Sequence, residues 1–224
     1  MIKGVIFDMD GVLFDTEKLY ERFWIEAASR YGFTMTTEDV ASVRSTDANL
    51  ARKILKGRLG EAFDYDEVKK LRIRLMQDFT RLNGIEVMEG VFELLRYLKK
   101  QDILTALATV SNRQRAEEFL KQGEISQYFD YIVAGDMVTN AKPDPEIYLK
   151  AAMGLGLPCE SCIAVEDSYN GVRSAFRAGC RVIMVPDRDV PDDEMRKNCY
   201  CIVENCAQII PYISRPYKTV TPPV

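Results

Sequence analysis

Apolar positions along the chain follow two regimes. Residues 2 to 7, "IKGVIF", are β-branched and aromatic-rich, and read as a buried strand. From about Thr16 to Asn83 the pattern turns helical and highly charged. In "DEVKKLRIRLMQDFTRLN", Val68, Leu71, Leu75 and Phe79 recur along one helix face. Leu19, Phe23 and Ala27 do the same in "EKLYERFWIEAASRY", and no strong strand pattern interrupts this stretch. After Gly84 the pattern alternates. It predicts a helix carrying Val91, Leu94, Leu95 and Leu98, a strand at 103–108, and a helix from Arg113 to Gln122. A strand at 131–135, a helix after Pro145, a strand at 162–167, a helix ending at Gly179 and a strand at 181–186 follow. "YCIVEN" offers a further strand and "AQIIPYI" a short last helix.

Strands alternating with helices predict an α/β fold, a doubly wound parallel sheet. The helical stretch interrupts it after the first strand. Residues 1–15 and 85–224 are therefore expected to form an α/β catalytic core, and residues 16–84 an inserted α-helical cap domain. The tail "RPYKTVTPPV" is expected to be poorly ordered.

Composition narrows the chemistry. A net charge of −4 leaves no basic surplus for nucleic acid. No apolar run reaches the length of a membrane span, acids appear too early for a secretory signal and the cysteines are unpatterned, so a cytoplasmic protein is expected, with a monomer as the default. There is no histidine. That excludes a Ser-His-Asp triad, a phosphohistidine enzyme and histidine-ligated metals, and leaves carboxylates, Lys, hydroxyls, thiols and hard metals bound through oxygen. The six cysteines lie between 159 and 206. Cys159 and Cys162 have zinc-like spacing, which Cys199 and Cys201 could face, but no second CxxC follows and inert thiols are expected. No glycine-rich nucleotide loop is present.

In an open parallel sheet, ligands bind beyond the carboxyl ends of the strands. The polar residues there are Asp8 and Asp10, then Thr109 and Ser111, then Lys142, then Glu166 and Asp167. Carboxylates, an ammonium and hydroxyls in one crevice point to a divalent metal and a phosphoryl group. Mg²⁺ held by Asp8 and the late acidic pair would offset repulsion between a carboxylate and a phosphate, as would Lys142. Thr109, with N–H groups near Ser111 and Asn112 at a helix start, would cradle phosphoryl oxygens. Asp8 could then carry the phosphoryl group as an aspartyl-phosphate, and Asp10 could protonate the leaving oxygen and later activate water. Four carboxylates against Mg²⁺ and Lys142 leave one excess negative charge, so a protonated Asp10 would make the empty site neutral.

"FDMDGVLFDTE", "ALATVSN", "AKPDPEIY" and "AVEDSYNGVRSAFRAG" together resemble the ordered motifs of the haloacid dehalogenase (HAD) superfamily. The resemblance is narrower to its phosphatase and β-phosphoglucomutase-like branch, and it runs from about residue 2 to 210. It implies a Mg²⁺-dependent phosphatase for a small phosphorylated metabolite. Asp8 would be the nucleophile and Asp10 the acid/base, with Asp10 also binding metal through its backbone carbonyl. Thr109 and Lys142 would hold phosphate and Asp167 Mg²⁺, with Glu166 a direct or water-mediated partner. The cap would close over the crevice, and Arg44, Ser45 and Thr46 are candidates for reading the substrate. A sugar-phosphate mutase is the alternative. The mutase relatives carry a histidine in the cap helix where this chain has Tyr20. A phospho-accepting signalling module fits less well, because it needs neither a cap nor a second aspartate.

Overall fold

The computed structural model describes residues 2–44 and 48–213. The expectations for Ser45, Thr46 and the tail lie outside the described residues. In chain order the elements are β1 (Gly4–Phe7), α1 (Glu17–Arg30), α2 (Thr37–Ala41), α3 (Ala48–Leu59), α4 (Tyr65–Asn83), α5 (Val91–Lys100), β2 (Leu104–Ala108) and α6 (Arg113–Gln122). They continue with β3 (Tyr131–Val133), α7 (Glu146–Gly154), β4 (Cys162–Glu166), α8 (Tyr169–Arg177), β5 (Arg181–Met184), α9 (Asp193–Asn198), β6 (Cys201–Ile202) and α10 (Ile210–Ile213).

The strands form one parallel sheet in the order β3-β2-β1-β4-β5-β6. This is the α/β doubly wound sheet that the alternation predicted. Strand order reverses at β1, which pairs with β2 on one side and β4 on the other. The crevice at that reversal lies past the carboxyl ends of those three strands. On one face, Ile6, Ala106, Ala164 and Val182 pack with Ile147, Tyr148 and Ala151 of α7, Val172 and Ala175 of α8, and Met195 of α9. Elsewhere in the core Phe7 meets Phe129 and Phe14 meets Phe119 edge to face, with ring centroids 5.9 and 5.8 Å apart.

By its contacts the chain divides into a unit of Met1–Phe14 with Glu86–Val224 and a unit of Asp15–Ile85. The second has its own core, in which Trp24, Ala27, Ala28, Leu55, Phe63, Tyr65 and Val68 pack together. Here one expectation shifts. The buried line on α4 runs through Val68, Arg72, Met76 and Thr80, with Leu71 and Leu75 only half-buried. Arg72 is tolerated inside because its guanidinium lies over the rings of Tyr20 and Trp24, at 4.6 and 5.3 Å from their centroids. Asp39 and Thr36 close a reciprocal capping box at the start of α2, and Arg58 also bonds Asp39.

Candidate active site

The chain leaves β1 at Phe7 and turns at once. Leu13 and Phe14 both donate backbone N–H groups to Met9 O, and Gly11 donates to Phe14 O. Gly11 has φ +81°, and a Cβ placed there would lie 2.3 Å from Asp167 Oδ2. A glycine therefore both makes the turn and lets the Asp167 carboxylate approach the backbone. Asp8 itself stays in register, donating its N–H to Val165 O at 3.0 Å.

Lys142 comes from the loop between β3 and α7. Glu146 accepts the N–H groups of Thr139 and Asn140, Ser174 donates to Asp144 O, and Arg177 donates to Pro143 O. So braced, the Lys142 side chain is buried, and its Nζ donates to Asp8 Oδ1 at 2.5 Å, Glu166 Oε1 at 2.6 Å and Ala108 O at 3.0 Å. The ion pairs settle its protonation. Burial alone would lower the pKa of the ammonium, but the Asp8 and Glu166 charges outweigh it and raise it.

Carboxyl oxygens of Asp8, Glu166 and Asp167 all lie within 4.8 Å of one another. Burial, with Lys142 opposing and the charges of Glu166 and Asp10 adding to it, raises Asp8 to about 7 from the ordinary 3.8. Burial, then Glu166 and Asp8, push Asp167 well above 3.8. Ionised, the three acids and Lys142 carry a net charge of −2, which one divalent cation would cancel. An all-oxygen donor set suits a hard cation such as Mg²⁺.

Asp10 is balanced separately. Its Oδ1 accepts from Arg115 Nη2 at 2.8 Å and its Oδ2 from Ser111 Oγ at 3.3 Å, while Arg115 Nη1 donates to that same hydroxyl at 2.8 Å. The charge count read from the sequence omitted Arg115. With a guanidinium on Asp10, electroneutrality of the empty site does not require a protonated acid there.

Thr109 follows β2, is fully buried, and accepts the Ser111 N–H on its hydroxyl at 3.1 Å. The start of α6 is more occupied than expected. Asn112 caps it by accepting from Arg115 N at 2.9 Å, and Asp136 accepts from Arg113 N at 3.2 Å. The Asn112 carbonyl and the Ser111 hydroxyl are thus engaged within the protein. Of the cap candidates, Arg44 pairs with Glu17 at 3.1 Å. Burial pushes the Cys162 and Cys199 thiols up to about 12, so both stay protonated near neutrality.

Sequence reasoning missed Arg115 and Tyr148. Tyr148 is fully buried on α7 and its hydroxyl donates to Glu166 Oε1. It occupies the apolar face of its helix, so periodicity files it with the core. Among the described residues no helix is long and apolar enough to cross a membrane.

Comparisons with known proteins agree on the family. A family model described as haloacid dehalogenase-like hydrolase matches residues 5–185. A phosphorylated carbohydrates phosphatase of Thermotoga maritima is 36% identical over 181 residues, covering 80% of this chain and 82% of its own. A solved structure from Thermotoga maritima, provisionally designated a β-phosphoglucomutase, superposes with a TM-score of 0.80 at 30% identity, covering 95% of this chain and 98% of its own. A CbbY variant of Rhodobacter sphaeroides, solved with xylulose 1,5-bisphosphate, gives a TM-score of 0.77 at 27% identity, covering 93% and 96%.

Proposed function

The chain belongs to the haloacid dehalogenase-like hydrolase family and is a phosphatase of it, and we propose that it hydrolyses a small sugar phosphate or similar phosphomonoester through a phosphoryl group carried on Asp8. The observation that carries this reading is the meeting of Asp8, Lys142 and Asp167 beyond β1 and β4, with Thr109 at the end of β2. The names of relatives support the substrate class. One acts on phosphorylated carbohydrates and another was solved with a sugar bisphosphate.

Asp8, Asp167 and the backbone carbonyl of Asp10 would hold Mg²⁺. The excess negative charge of the cluster and the pKa of Asp167, raised by burial among acids, fit that role. Bound there, Mg²⁺ would offset repulsion between the Asp8 carboxylate and the phosphate oxygens.

The chain's own groups do the rest. Lys142 attracts a phosphoryl oxygen by charge. The Thr109 hydroxyl accepts from Ser111 N and keeps its own proton to donate. An Asp8 oxygen bonds to phosphorus as the bond to the leaving oxygen breaks, and Asp10, having taken up a proton from solvent and left Arg115 and Ser111 as substrate binds, gives that oxygen the proton. Asp10, then a carboxylate, takes a proton from the water that attacks phosphorus as the bond between phosphorus and the Asp8 oxygen breaks, which returns the Asp8 carboxylate and the protonated Asp10 and releases inorganic phosphate.

The test is a panel of hexose, pentose and polyol phosphates assayed for Mg²⁺-dependent release of inorganic phosphate. Folded protein that releases none from any member refutes the reading. The likeness to the protein designated a β-phosphoglucomutase keeps a mutase as the second reading. A mutase must hold water off its phosphoenzyme, and this chain has no histidine to couple sugar binding to that control. β-Glucose 1-phosphate with a trace of the bisphosphate should therefore yield free phosphate. Efficient conversion to glucose 6-phosphate with little phosphate release would favour the mutase.

A further inference from the structure

The proposed mechanism gives Lys142 a phosphoryl oxygen to hold, and the structure also contains what holds Lys142. Its Nζ has acceptors in Asp8, Glu166 and Ala108 O, one for each ammonium proton. Glu166 is fully buried and its carboxylate is engaged on both oxygens. Oε1 accepts from Lys142 Nζ at 2.6 Å and from the Tyr148 hydroxyl. Oε2 accepts from Asp167 N at 3.2 Å and Ser168 Oγ at 3.3 Å. A carboxylate has about four lone-pair positions, so protein donors occupy the whole set. The backbone of α8 closes over it, since a Cβ on Gly171 would fall 1.9 Å from Oε2.

We propose that Glu166 is the internal counter-ion of Lys142 and not a metal ligand, and that Tyr148 is a positioning residue that fixes Lys142 through Glu166. The inference rests on Lys142 acting by charge on the transferred phosphoryl group, as proposed above. Proximity alone would put Glu166 among the ligands, because its oxygen lies within 4.8 Å of those of Asp8 and Asp167. Saturation argues the other way. A cation reaching Oε1 must displace a buried ammonium or a buried phenol, and one reaching Oε2 must displace Asp167 N or Ser168 Oγ. Asp167 differs: among the described residues its carboxylate accepts no hydrogen bond, so a cation displaces nothing from it. Tyr148 matters because its hydroxyl is the second donor on the oxygen that anchors Lys142. Without it the Glu166 carboxylate can rotate, and the ammonium follows. The tyrosine ring also lies 5.2 Å from Nζ, so the same side chain walls the ammonium in.

The experiment separates ligand from anchor by titrating Mn²⁺ alone, read by electron paramagnetic resonance. Glu166→Gln and Tyr148→Phe should bind Mn²⁺ within about 3-fold of the parent, whereas Asp167→Asn should lose at least about 30-fold. Glu166→Gln weakening Mn²⁺ as much as Asp167→Asn overturns the first half. The second half is read with p-nitrophenyl phosphate. Tyr148→Phe should lower kcat about 10- to 100-fold in the parent and have no further effect in a Lys142→Met background, as expected of a residue acting only through Lys142. Equal effects in both backgrounds, or an unchanged kcat, overturn it. Should the parent turn over no phosphomonoester, the function proposed above fails on its own. Calorimetric titration of inorganic phosphate in Mg²⁺ then reads Lys142 without turnover. Tyr148→Phe binding phosphate about 10-fold more weakly sustains the positioning role, and unchanged affinity sinks it. If Tyr148→Phe does not fold, Ser168→Ala removes a donor from the other oxygen and is held to the same criteria.

Discussion

Replacing Asp8 with asparagine should abolish turnover and at the same time stabilise the metal-free protein above neutral pH. The Asp8 carboxyl is raised from 3.8 to about 7, chiefly by burial. The folded protein therefore binds a proton more tightly than the unfolded chain, and stability falls as pH rises from about 4 to about 7. The gap is roughly 3 decades of proton affinity at about 1.4 kcal/mol each, so ionising Asp8 costs the fold about 4 kcal/mol. An asparagine mimics the neutral acid and avoids that cost. Lys142 keeps Glu166 as a counter-charge in the variant.

With metal chelated, Asp8→Asn and the parent should unfold at similar temperatures near pH 4.5 and diverge as pH rises. By pH 8 the variant should lead by up to about 4 kcal/mol, which at about 2–4 °C per kcal/mol for a protein of this size is about 8–16 °C in Tm. Mg²⁺ should close most of the gap by stabilising only the parent, whose site keeps its anion. Thermal unfolding followed by circular dichroism in chelator, at several pH values, measures this. A variant no more stable than the parent at pH 8 would show that the Asp8–Lys142 ion pair already compensates the buried charge, and the reasoning would fail.

On the proposed mechanism, Asp10→Asn leaves the nucleophile in place but removes the proton carrier. An activated phosphodonor should give a phosphoenzyme longer-lived than the parent's, and rapid hydrolysis in rapid-quench experiments would contradict the assignment. Gly11→Ala places a methyl carbon 2.3 Å from Asp167 Oδ2 at φ +81°, so it should lower activity and cost about 1–3 kcal/mol; an unaffected Mn²⁺ affinity would show that the close approach is dispensable. In the helical unit, burial opposes ionisation of Asp39, but bonds from Arg58 and Thr36 prevail and hold its carboxyl below 3.8. That stability is present above about pH 4 and is lost as pH falls through the lowered value. Asp39→Asn should therefore cost about 1 kcal/mol at pH 7 and progressively less as pH falls through the lowered value, as measured by urea unfolding over a series of acidic pH values.

The sheet was legible because strands buried on both faces read as near-continuous apolar runs, and "CIAVED" or "RVIMVP" has few other readings. The crevice was legible for the same reason, since the acids at 8, 10, 166 and 167 stand immediately past such runs. Arg115 and Tyr148 were not. Arg115 sits in the charged run "NRQRAEEF", where spacing alone does not tell which arginine turns inward. Tyr148 reads as core because a phenol exposes its polar atom only to a partner brought by another element. Arg72 failed for a related reason: periodicity counts apolar residues, and a cation seated on two rings is apolar in its surroundings though not in its letter. The short helix α9 also escaped, because "DDEMRKN" buries only Met195 and has too few turns to show a period.

The acids that crowd the end of β1 and β4 carry the same functional group, and hydrogen bonding sorts them into different chemistry. Glu166 is fully engaged by protein donors, so it acts as a fixed charge. Asp8 is held on Oδ1 by Lys142, which orients the carboxylate for the roles proposed for it. Asp167 lies against Gly11 and among the described residues accepts no hydrogen bond on its carboxylate, and Asp10 is tied to a guanidinium and a hydroxyl. Burial of the cluster makes every one of these distinctions larger, because an unmet charge costs more out of water. The same burial that raises Asp8 to about 7 therefore lowers the stability of the metal-free fold and sharpens the site's demand for a cation and a phosphoryl group.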